Sequence, residues 1–227
     1  MSRASRLLYR LRRDVRGLAL LEFAFILPIF LILALVGAEL TNYVITRMRV
    51  SQIALHLADN AARIGSGSML QAKTITEMDI NDVLTGAGYQ SGELRLYDNG
   101  RVMISSLEPT ASPNTAGRYK IAWKRCRGKQ NVPTQYTDKA ATFTGGLGDS
   151  GRLVTAPDYG ATMFVEVYYD YQPLIGARMV APFISERQMV EVASMMVRDR
   201  RDTAGGSNGV YPVSGVTAST CNRFTTT

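Results

Sequence analysis

A run of 21 mainly apolar residues, Leu18 to Ala38, is the feature that most constrains how this chain folds. As an α-helix the run is about 31 Å long, which matches a hydrocarbon core of about 30 Å. Its one charge is Glu22. A carboxylate in lipid costs roughly 2.5 to 3.5 kcal/mol at mid-bilayer and less near the interface, so we expect Glu22 to have a use. The run predicts a membrane-spanning helix over residues 18–38.

Charge is concentrated before this run. Residues 1–17 hold six arginines and one aspartate, a net charge of +5 out of +7 for the whole chain. By the positive-inside rule, this basic segment keeps the N-terminus in the cytoplasm. The remaining chain is nearly balanced, so its charge does not indicate a nucleic-acid partner.

The helix is predicted to kink near Pro28, within the apolar run. Beyond the run it is predicted to continue to about residue 64 as an amphipathic extension. Glycines and serines at residues 65–68 end it. The apolar stripe of the extension either packs on the chain's own domain or forms a seam against neighbouring subunits; its members are Leu40, Tyr43, Val50, Ala54, Leu57, Ala61 and Ile64.

The rest of the chain predicts a short helix over 76–84 and about four strands of an antiparallel sheet, which is an α+β layout. The strands are predicted at 93–97 and 102–106, joined by a turn at 98–100, and at 118–126 and 162–171. Residues 188–197 are a further strand candidate, although their alanine and methionines would also suit a helix. Tyr119, Ile121 and Trp123 are expected on one side of their strand. Residues 65–202 would form this domain, and 203–227 a flexible tail.

Three interpretations fit the N-terminus. An export signal would be cut after a small residue such as Ala38, although its apolar core is usually shorter. An uncleaved signal anchor explains the arginines but gives Glu22 no role. A pilin-type leader explains both, because a glycine precedes the run and Glu22 and Phe23 follow at a fixed spacing.

The segment Arg16-Gly17-Leu-Ala-Leu-Leu-Glu-Phe-Ala-Phe-Ile-Leu-Pro28 resembles the type IV pilin superfamily, and within it the TadE/TadF-like minor pseudopilins of Tad (tight adherence) pili. Further segments look similar to TadE-like proteins: residues 123–128, 164–174 and 197–202.

The resemblance implies a pilin-like fold and a cytoplasmic leader, residues 1–17, that a prepilin peptidase removes after Gly17. Leu18 would become the new terminus, and Glu22, Phe23 and Pro28 would serve assembly. Implied partners are other Tad pilins and pseudopilins, an inner-membrane assembly platform and the lipid bilayer, with no nucleic acid expected. The domain would lie in the periplasm, and the protein would act in pilus biogenesis and adherence. The alternative for Glu22 is that it has no role in assembly and that its carboxylate partly snorkels to the nearby cytoplasmic interface.

No enzyme is expected, and neither a cofactor nor a metal is predicted. His56 is the one histidine, which excludes a multi-histidine metal site. The sequence Gly148-Asp149-Ser150-Gly151 is similar to a protease nucleophile turn, but a polar loop explains it better.

A basic cluster keeps a second function open. The cations of residues 118–129 interleave with Tyr119 and Trp123, so an uncleaved, membrane-anchored adhesin or a glycan- or DNA-binding module is the alternative. The simpler interpretation is a strand with its lysines outward and Trp123 inward.

The two cysteines, Cys126 and Cys221, follow the apolar run. In an oxidising compartment they can form a disulfide that ties down the tail, and this pairing is the expectation. The alternative is two unrelated buried thiols.

Overall fold

The computed structural model describes residues 17–68, 71–136, 142–176, 184 and 186–226. Helix α1 (Leu18–Arg63) comes first and runs without interruption through Pro28. It is followed by β1 (Ile75–Thr76), α2 (Glu77–Ser91), a 3₁₀ turn (Gly92–Leu94) and α3 (Leu96–Asn99). The predicted long helix over 18–64 is thereby confirmed.

The remaining elements are strands. They are β2 (Gly100–Pro109), β3 (Arg118–Arg127), β4 (Phe143–Thr144), β5 (Thr162–Asp170), β6 (Gln188–Met196) and β7 (Val210–Tyr211). Five form an antiparallel sheet in the order β4-β3-β2-β5-β6, and β1 pairs with β7 in parallel. The α+β class is confirmed. The chain divides into two compact units, residues 1–44 with 173–185, and residues 45–172 with 186–227.

In the second unit, the end of α1 covers one face of the sheet. Its inward stripe is buried and recurs at steps of one, three and four residues: Val50, Ile53, Ala54, Leu57, Ala58, Ala61 and Ala62. Arg201 fixes the helix end by donating from Nη2 to the carbonyls of Ala61, at 2.7 Å, and Ile64, at 3.2 Å. These are carbonyls that a helix C-terminus leaves without intrahelical partners. The stripe predicted from the sequence therefore packs on the chain's own domain from Val50 onward.

Helix α2 lies on the same face and is longer than predicted. It begins with a capping box in which the Thr76 hydroxyl accepts from the Asp79 N–H and the Asp79 carboxylate accepts from the Thr76 N–H. The sequence predicted an end at about residue 84, just before Gly86 and Gly88, but the helix runs through both glycines to Ser91. The absence of a side chain at Gly88 makes room for the Tyr97 ring, because a Cβ there would lie 2.8 Å from the ring.

The predicted strand over 93–97, and with it the predicted hairpin, is wrong. The segment forms the 3₁₀ turn and α3, with Arg95 in the left-handed region at φ 49°. Leu94, Leu96 and Tyr97 are all buried. A strand directs neighbouring side chains to opposite faces, so it cannot bury both Leu96 and Tyr97 on one side.

A β-bulge reverses part of the expected alternation in β3. Ser106 pairs with Trp123 but Leu107 pairs with Ile121, so Ala122 is the extra residue. Because an extra residue shifts a period-two pattern, Ile121 and Trp123 point to opposite faces. The expectation that Tyr119, Ile121 and Trp123 share one side is therefore wrong for Trp123.

The other face of the sheet is covered by loops. Leu107, Tyr119 and Phe164 pack there with Leu147 and Ala156 from the connection between β3 and β5. Burying each such side chain stabilises the fold by about 1.5 to 3 kcal/mol. Both faces of the sheet are thus closed, which explains why β2 and β5 are buried along almost their whole length.

The C-terminal segment, expected as a flexible tail over 203–227, makes specific contacts. Arg101 is buried and its guanidinium donates to the carbonyls of Cys221 and Arg223, while the Phe224 ring lies 4.2 Å from its centre. The Cys126 N–H donates to the Ser219 carbonyl at 2.8 Å. These contacts hold residues 219–224 beside the ends of β2 and β3.

Candidate functional site

The proposed cleavage position lies at the very start of helix α1. Gly17 precedes the first helical residue, Leu18, and its carbonyl accepts the first i→i+4 hydrogen bond, from the Leu21 N–H at 3.1 Å. Both residues are exposed, and a Cβ on Gly17 would meet no atom within 4 Å. None of the described residues therefore covers the peptide bond between Gly17 and Leu18. The basic leader, residues 1–16, lies outside the described residues.

The first half of α1 exposes a continuous apolar surface. Among the described residues it is the one helix long and apolar enough to cross a membrane, and none of its most apolar stretch is buried by the chain. Twelve of its large side chains are 45–76% exposed: Leu18, Leu20, Leu21, Phe23, Phe25, Ile26, Ile29, Phe30, Leu31, Ile32, Leu33 and Leu35. Soluble proteins rarely expose so large an apolar patch, so this surface needs lipid or another apolar partner.

Glu22 is the charged member of that surface. Its side chain is exposed, and no hydrogen bond or ion pair to it is found within the described parts of the chain. Phe23, the next residue, and Pro28, six residues further along the helix, are also exposed. Since proline has no N–H, Pro28 leaves the Ala24 carbonyl without its usual helical donor. The helix thus carries two polar features that the described residues of this chain leave open, a carboxylate and a carbonyl.

Further along, α1 is apolar on two sides. Leu40, a member of the stripe predicted from the sequence, is 44% exposed, and Val44, Met48 and Leu55 are exposed as well. Steps of four and seven residues place these four along one side of a helix. This outer stripe differs from the buried stripe that begins at Val50. Of the stripe predicted from the sequence, Leu40 is therefore exposed, whereas the members Val50, Ala54, Leu57 and Ala61 are buried.

Cys126 and Cys221 form a disulfide. Cys126 is buried on β3 together with Met103 and Tyr168, and Val132 and Cys221 pack against the group. The bridge and the contacts of Arg101 hold the same segment. Of the residues singled out from the sequence, these two are brought together. Gly17 directly precedes α1, and Leu18, Glu22, Phe23 and Pro28 follow in order along it.

The basic cluster on β3 is largely paired within the chain. Arg125 forms a bidentate ion pair with Glu77, with Nε 2.9 Å from Oε2, and Lys129 lies 2.6 Å from Asp98. Hydrogen bonding from Lys129, and then from Arg95, holds the pKa of the Asp98 carboxyl below its usual range. Trp123 is only 6% exposed. An indole buried in this way is not available to stack on a base or a sugar.

Arg127 is a further member of this cluster that the fold uses internally. Its Nη1 donates to Thr85 at 2.8 Å and its Nη2 to Ser219 at 3.2 Å, and its guanidinium faces the Tyr97 ring at 5.8 Å. Burial lowers the pKa of the guanidinium. Arg127 thus links α2, β3 and the C-terminal segment.

The remaining chemical candidates have ordinary structural surroundings. His56 is exposed on α1. Asp149 accepts a 2.7 Å hydrogen bond from the Tyr136 hydroxyl, and this bond chiefly raises the pKa of Tyr136 to about 12. Within the described ranges, no group of three or more His, Cys, Asp or Glu side chains is arranged to hold a metal ion.

Sequence reasoning missed Glu39. This residue is 3% exposed, and its Oε2 accepts the Ile175 N–H at 3.0 Å. A carboxylate directly after the apolar run looks like an ordinary interfacial charge. No signal in the sequence singles out Ile175 as its partner.

Comparisons of this chain with protein-family models, with curated proteins and with solved structures give no match.

Proposed function

We propose that this chain is a minor pseudopilin for the biogenesis of Tad-type pili and for surface adherence. A prepilin peptidase removes residues 1–17, and the mature chain assembles through α1 with other Tad pilins and pseudopilins on an inner-membrane platform. The observation that carries the proposal is the first half of α1, an exposed apolar helix with Glu22 near its start. The protein is then a component of an assembly and not an enzyme.

The position of Glu22 gives the proposal a physical mechanism. Cleavage after Gly17 creates an amine at Leu18, one helical turn from the carboxylate. In a bilayer each unpaired charge costs several kcal/mol, so pairing the amine of one subunit with Glu22 of its neighbour relieves both costs. This pairing is specific in register, because a shift by one residue moves the carboxylate about 100° around the helix.

The outer stripe of α1 supports a role in assembly beyond anchoring. A helix that only tethered a domain would need no apolar side chains on its outward side above the span. Leu40, Val44, Met48 and Leu55 provide such a side. Helices associate through complementary apolar stripes of this spacing, so neighbouring subunits are the natural cover.

The arginines of the leader favour a cytoplasmic N-terminus in the inner membrane, which puts residues 39 onward in the periplasm. A disulfide between Cys126 and Cys221 suits that oxidising compartment.

The test compares three variants of the full chain, expressed with its native assembly components. Glu22→Ala and Glu22→Gln remove the charge, whereas Leu20→Ala changes an exposed neighbour on the same helix and is the matched control. We expect all three to insert and to be cleaved. Only Leu20→Ala should then co-purify with the other pilins after cross-linking. Normal co-purification of Glu22→Ala would show that the carboxylate has no registering role.

A further inference from the structure

Strand β6 is an open edge of the five-stranded sheet. It pairs with β5 over nine consecutive residue pairs without a bulge. On its other side, no strand pairs with it among the residues that the structure describes. The opposite edge of the sheet, on β3, is covered: β4 pairs with the first two residues of β3, and the carbonyls of Ser219 and Thr225 accept backbone hydrogen bonds at its far end.

The hydrogen bonds beyond the two ends of β6 show which of its residues face outward. The Tyr171 N–H donates to the Arg187 carbonyl at 2.9 Å. At the other end, the Val197 N–H donates to the Ala161 carbonyl at 3.0 Å. Hydrogen-bonded pairs alternate along an antiparallel ladder, so the odd-numbered residues from 187 to 197 bond to β5. The even-numbered residues therefore direct their N–H and C=O groups away from the sheet, and within the described ranges these groups have no hydrogen-bond partner: Gln188, Val190, Val192, Ser194 and Met196.

The strand lacks the features that usually keep an edge from pairing with another chain. Natural edge strands are short, or they carry proline, a bulge or an unpaired charge. Strand β6 has nine residues, no proline and one charge, Glu191. That charge is paired, because Oε1 of Glu191 lies 2.8 Å from Nε of Arg47 on α1. The edge is therefore able to accept a further strand.

Apolar side chains flank the edge on both faces of the sheet. On the face away from α1, Val192 and Met196 are 38% and 59% exposed. On the other face, α1 reaches the edge at Arg47, and Leu55 lies two four-residue steps further along the same side of the helix. Leu55 and Met48, both members of the outer stripe of α1, are exposed. A strand added to β6 would cover apolar side chains from β6 and α1 together.

The chemistry of the edge selects a polypeptide as its occupant. An extended peptide satisfies a row of alternating N–H and C=O groups, and neither a lipid nor a saccharide provides such a row. Arg198 continues the outward row, is exposed and has no ion pair within the described part of the chain. The matching segment therefore has apolar side chains at alternate positions and an acidic residue opposite Arg198.

A second copy of this chain does not fit the edge. Strand β6 and α1 run in the same sense, because Arg47 contacts Glu191 near the start of both and Arg201 donates to the Ala61 carbonyl near their ends. The two-fold pairing of one β6 with another is antiparallel, so it would reverse α1 in one of the two copies. Two chains anchored in one membrane through α1 cannot meet in this way. This step rests on the membrane anchor of the proposed function.

From these observations we infer that β6 docks an extended, apolar segment of a different subunit of the assembly, which joins the sheet as an additional strand. Main-chain hydrogen bonds to the outward residues of β6 hold the segment, and the contacts of its alternate side chains set its register. Met48 and Leu55 cover it from the side of α1. The domain then has an interaction surface of its own, separate from the pairing of Glu22 in the membrane.

The test measures amide hydrogen exchange for each residue of β6 in the full chain. The chain is measured alone in detergent and again in the cross-linked complex with its native assembly components. Alone, the even-numbered amides from 190 to 196 should exchange fast and the odd-numbered amides from 189 to 195 slowly. In the complex, the even-numbered amides should exchange about tenfold more slowly or less, as the gain of one typical net hydrogen bond requires.

The possible results separate the inference from the proposed function. If the complex forms and the even-numbered amides still exchange fast, the inference fails and the proposed function stands. Slow exchange that appears in the purified chain as its concentration rises also overturns the inference, because the cover is then a second copy. If no complex forms and the chain from native membranes begins at Met1, the proposed function fails together with the inference.

Variants of the edge provide an independent test. Val192→Pro removes an outward N–H and no hydrogen bond to β5, a position where a sheet tolerates proline. Val192→Thr keeps the N–H and the branched side chain and is the matched control. Met196→Lys keeps every N–H and adds a charge to the edge. Unchanged unfolding in urea would show that each variant is folded.

We expect Val192→Pro and Met196→Lys to lose the slow exchange of the even-numbered amides in the presence of the assembly components, and Val192→Thr to retain it. If the two edge variants show the same slow exchange as the unchanged chain, β6 is not the docking site.

Discussion

Breaking the disulfide between Cys126 and Cys221 tests how the C-terminal segment is held. The bridge joins residues separated by 95 positions. On the chain-entropy model, closing a loop of that length stabilises the fold by about 4.7 kcal/mol, and measured values for disulfides are typically about 2 to 4 kcal/mol. We expect the disulfide to contribute about 2 to 4 kcal/mol to the free energy of unfolding, because the contacts of Arg101 with Cys221 and Arg223 still hold the segment when the bridge is broken.

The assay is urea unfolding of the full chain in detergent micelles, followed by the fluorescence of Trp123. This residue is the one tryptophan of the chain, and it is buried on β3 three residues before Cys126. With a urea dependence of about 2 kcal/mol per molar, a loss of about 2 to 4 kcal/mol lowers the midpoint by about 1 to 2 M. The double variant Cys126→Ser/Cys221→Ser should unfold at the reduced midpoint and ignore reductant. The reasoning is refuted if the oxidised and reduced chains unfold at the same urea concentration.

Three further substitutions test the packing of α2 and the buried charge on β2. Gly86→Ala should stabilise the domain by about 0.4 to 1 kcal/mol in the same urea assay, because its new Cβ meets no atom within 4 Å. Gly88→Ala is the matched change and should destabilise by about 1 to 3 kcal/mol, since its Cβ falls 2.8 Å from the Tyr97 ring; equal effects at the two glycines would contradict this packing. Burial chiefly raises the pKa of the Glu108 carboxyl above its usual value of 4.5. When the pKa of a carboxyl group is higher in the folded than in the unfolded state, the fold loses stability as the pH rises from the unfolded-state pKa to the folded-state pKa. At pH 7, Glu108→Gln should therefore unfold at a higher urea concentration than the unchanged chain. This increase in the urea midpoint should disappear well below pH 4.5, where Glu108 is protonated in both states.

Periodicity made α1 and the central strands predictable from the sequence. Apolar residues at helical spacing gave α1 to within one residue of its end, and alternation with aromatic residues identified β3 and β5, whereas the segment of β6 has no aromatic residue and was only a strand candidate. Both signals depend on an uninterrupted period. The bulge at Ala122 has no marker such as glycine, so the expected side of Trp123 was wrong.

The prediction of a strand around Leu96 was wrong for a related physical reason. Asp98-Asn99-Gly100 is a good turn sequence, and the apolar residues before it resemble a strand. Tertiary packing decides the conformation here, because Gly88 makes room for the Tyr97 ring and Tyr97 donates to the Leu84 carbonyl. A glycine inside a helix was interpreted as an end of the helix, although it provides a contact surface for a distant residue.

The residues of the candidate site could be selected from the sequence, and their roles stay predictions. Glu22 is recognisable because a charge in an apolar run is expensive; Glu22 and Phe23 lie on α1, and Gly17 directly precedes it. The contact of Glu39 with Ile175 was not predictable, since it joins residues that are 136 positions apart. Nor could the sequence show where along α1 the apolar side chains become buried, because Leu40 and Val50 are both apolar, yet Leu40 is exposed and Val50 is buried.

The intact mass and N-terminal sequence of the protein from native membranes test the central claim most directly. The account predicts a chain that begins at Leu18, with residues 1–17 removed after Gly17. A chain that begins at Met1 would contradict processing and favour a tethered binding module. A chain that begins near Glu39 would contradict the membrane helix altogether and indicate ordinary secretion.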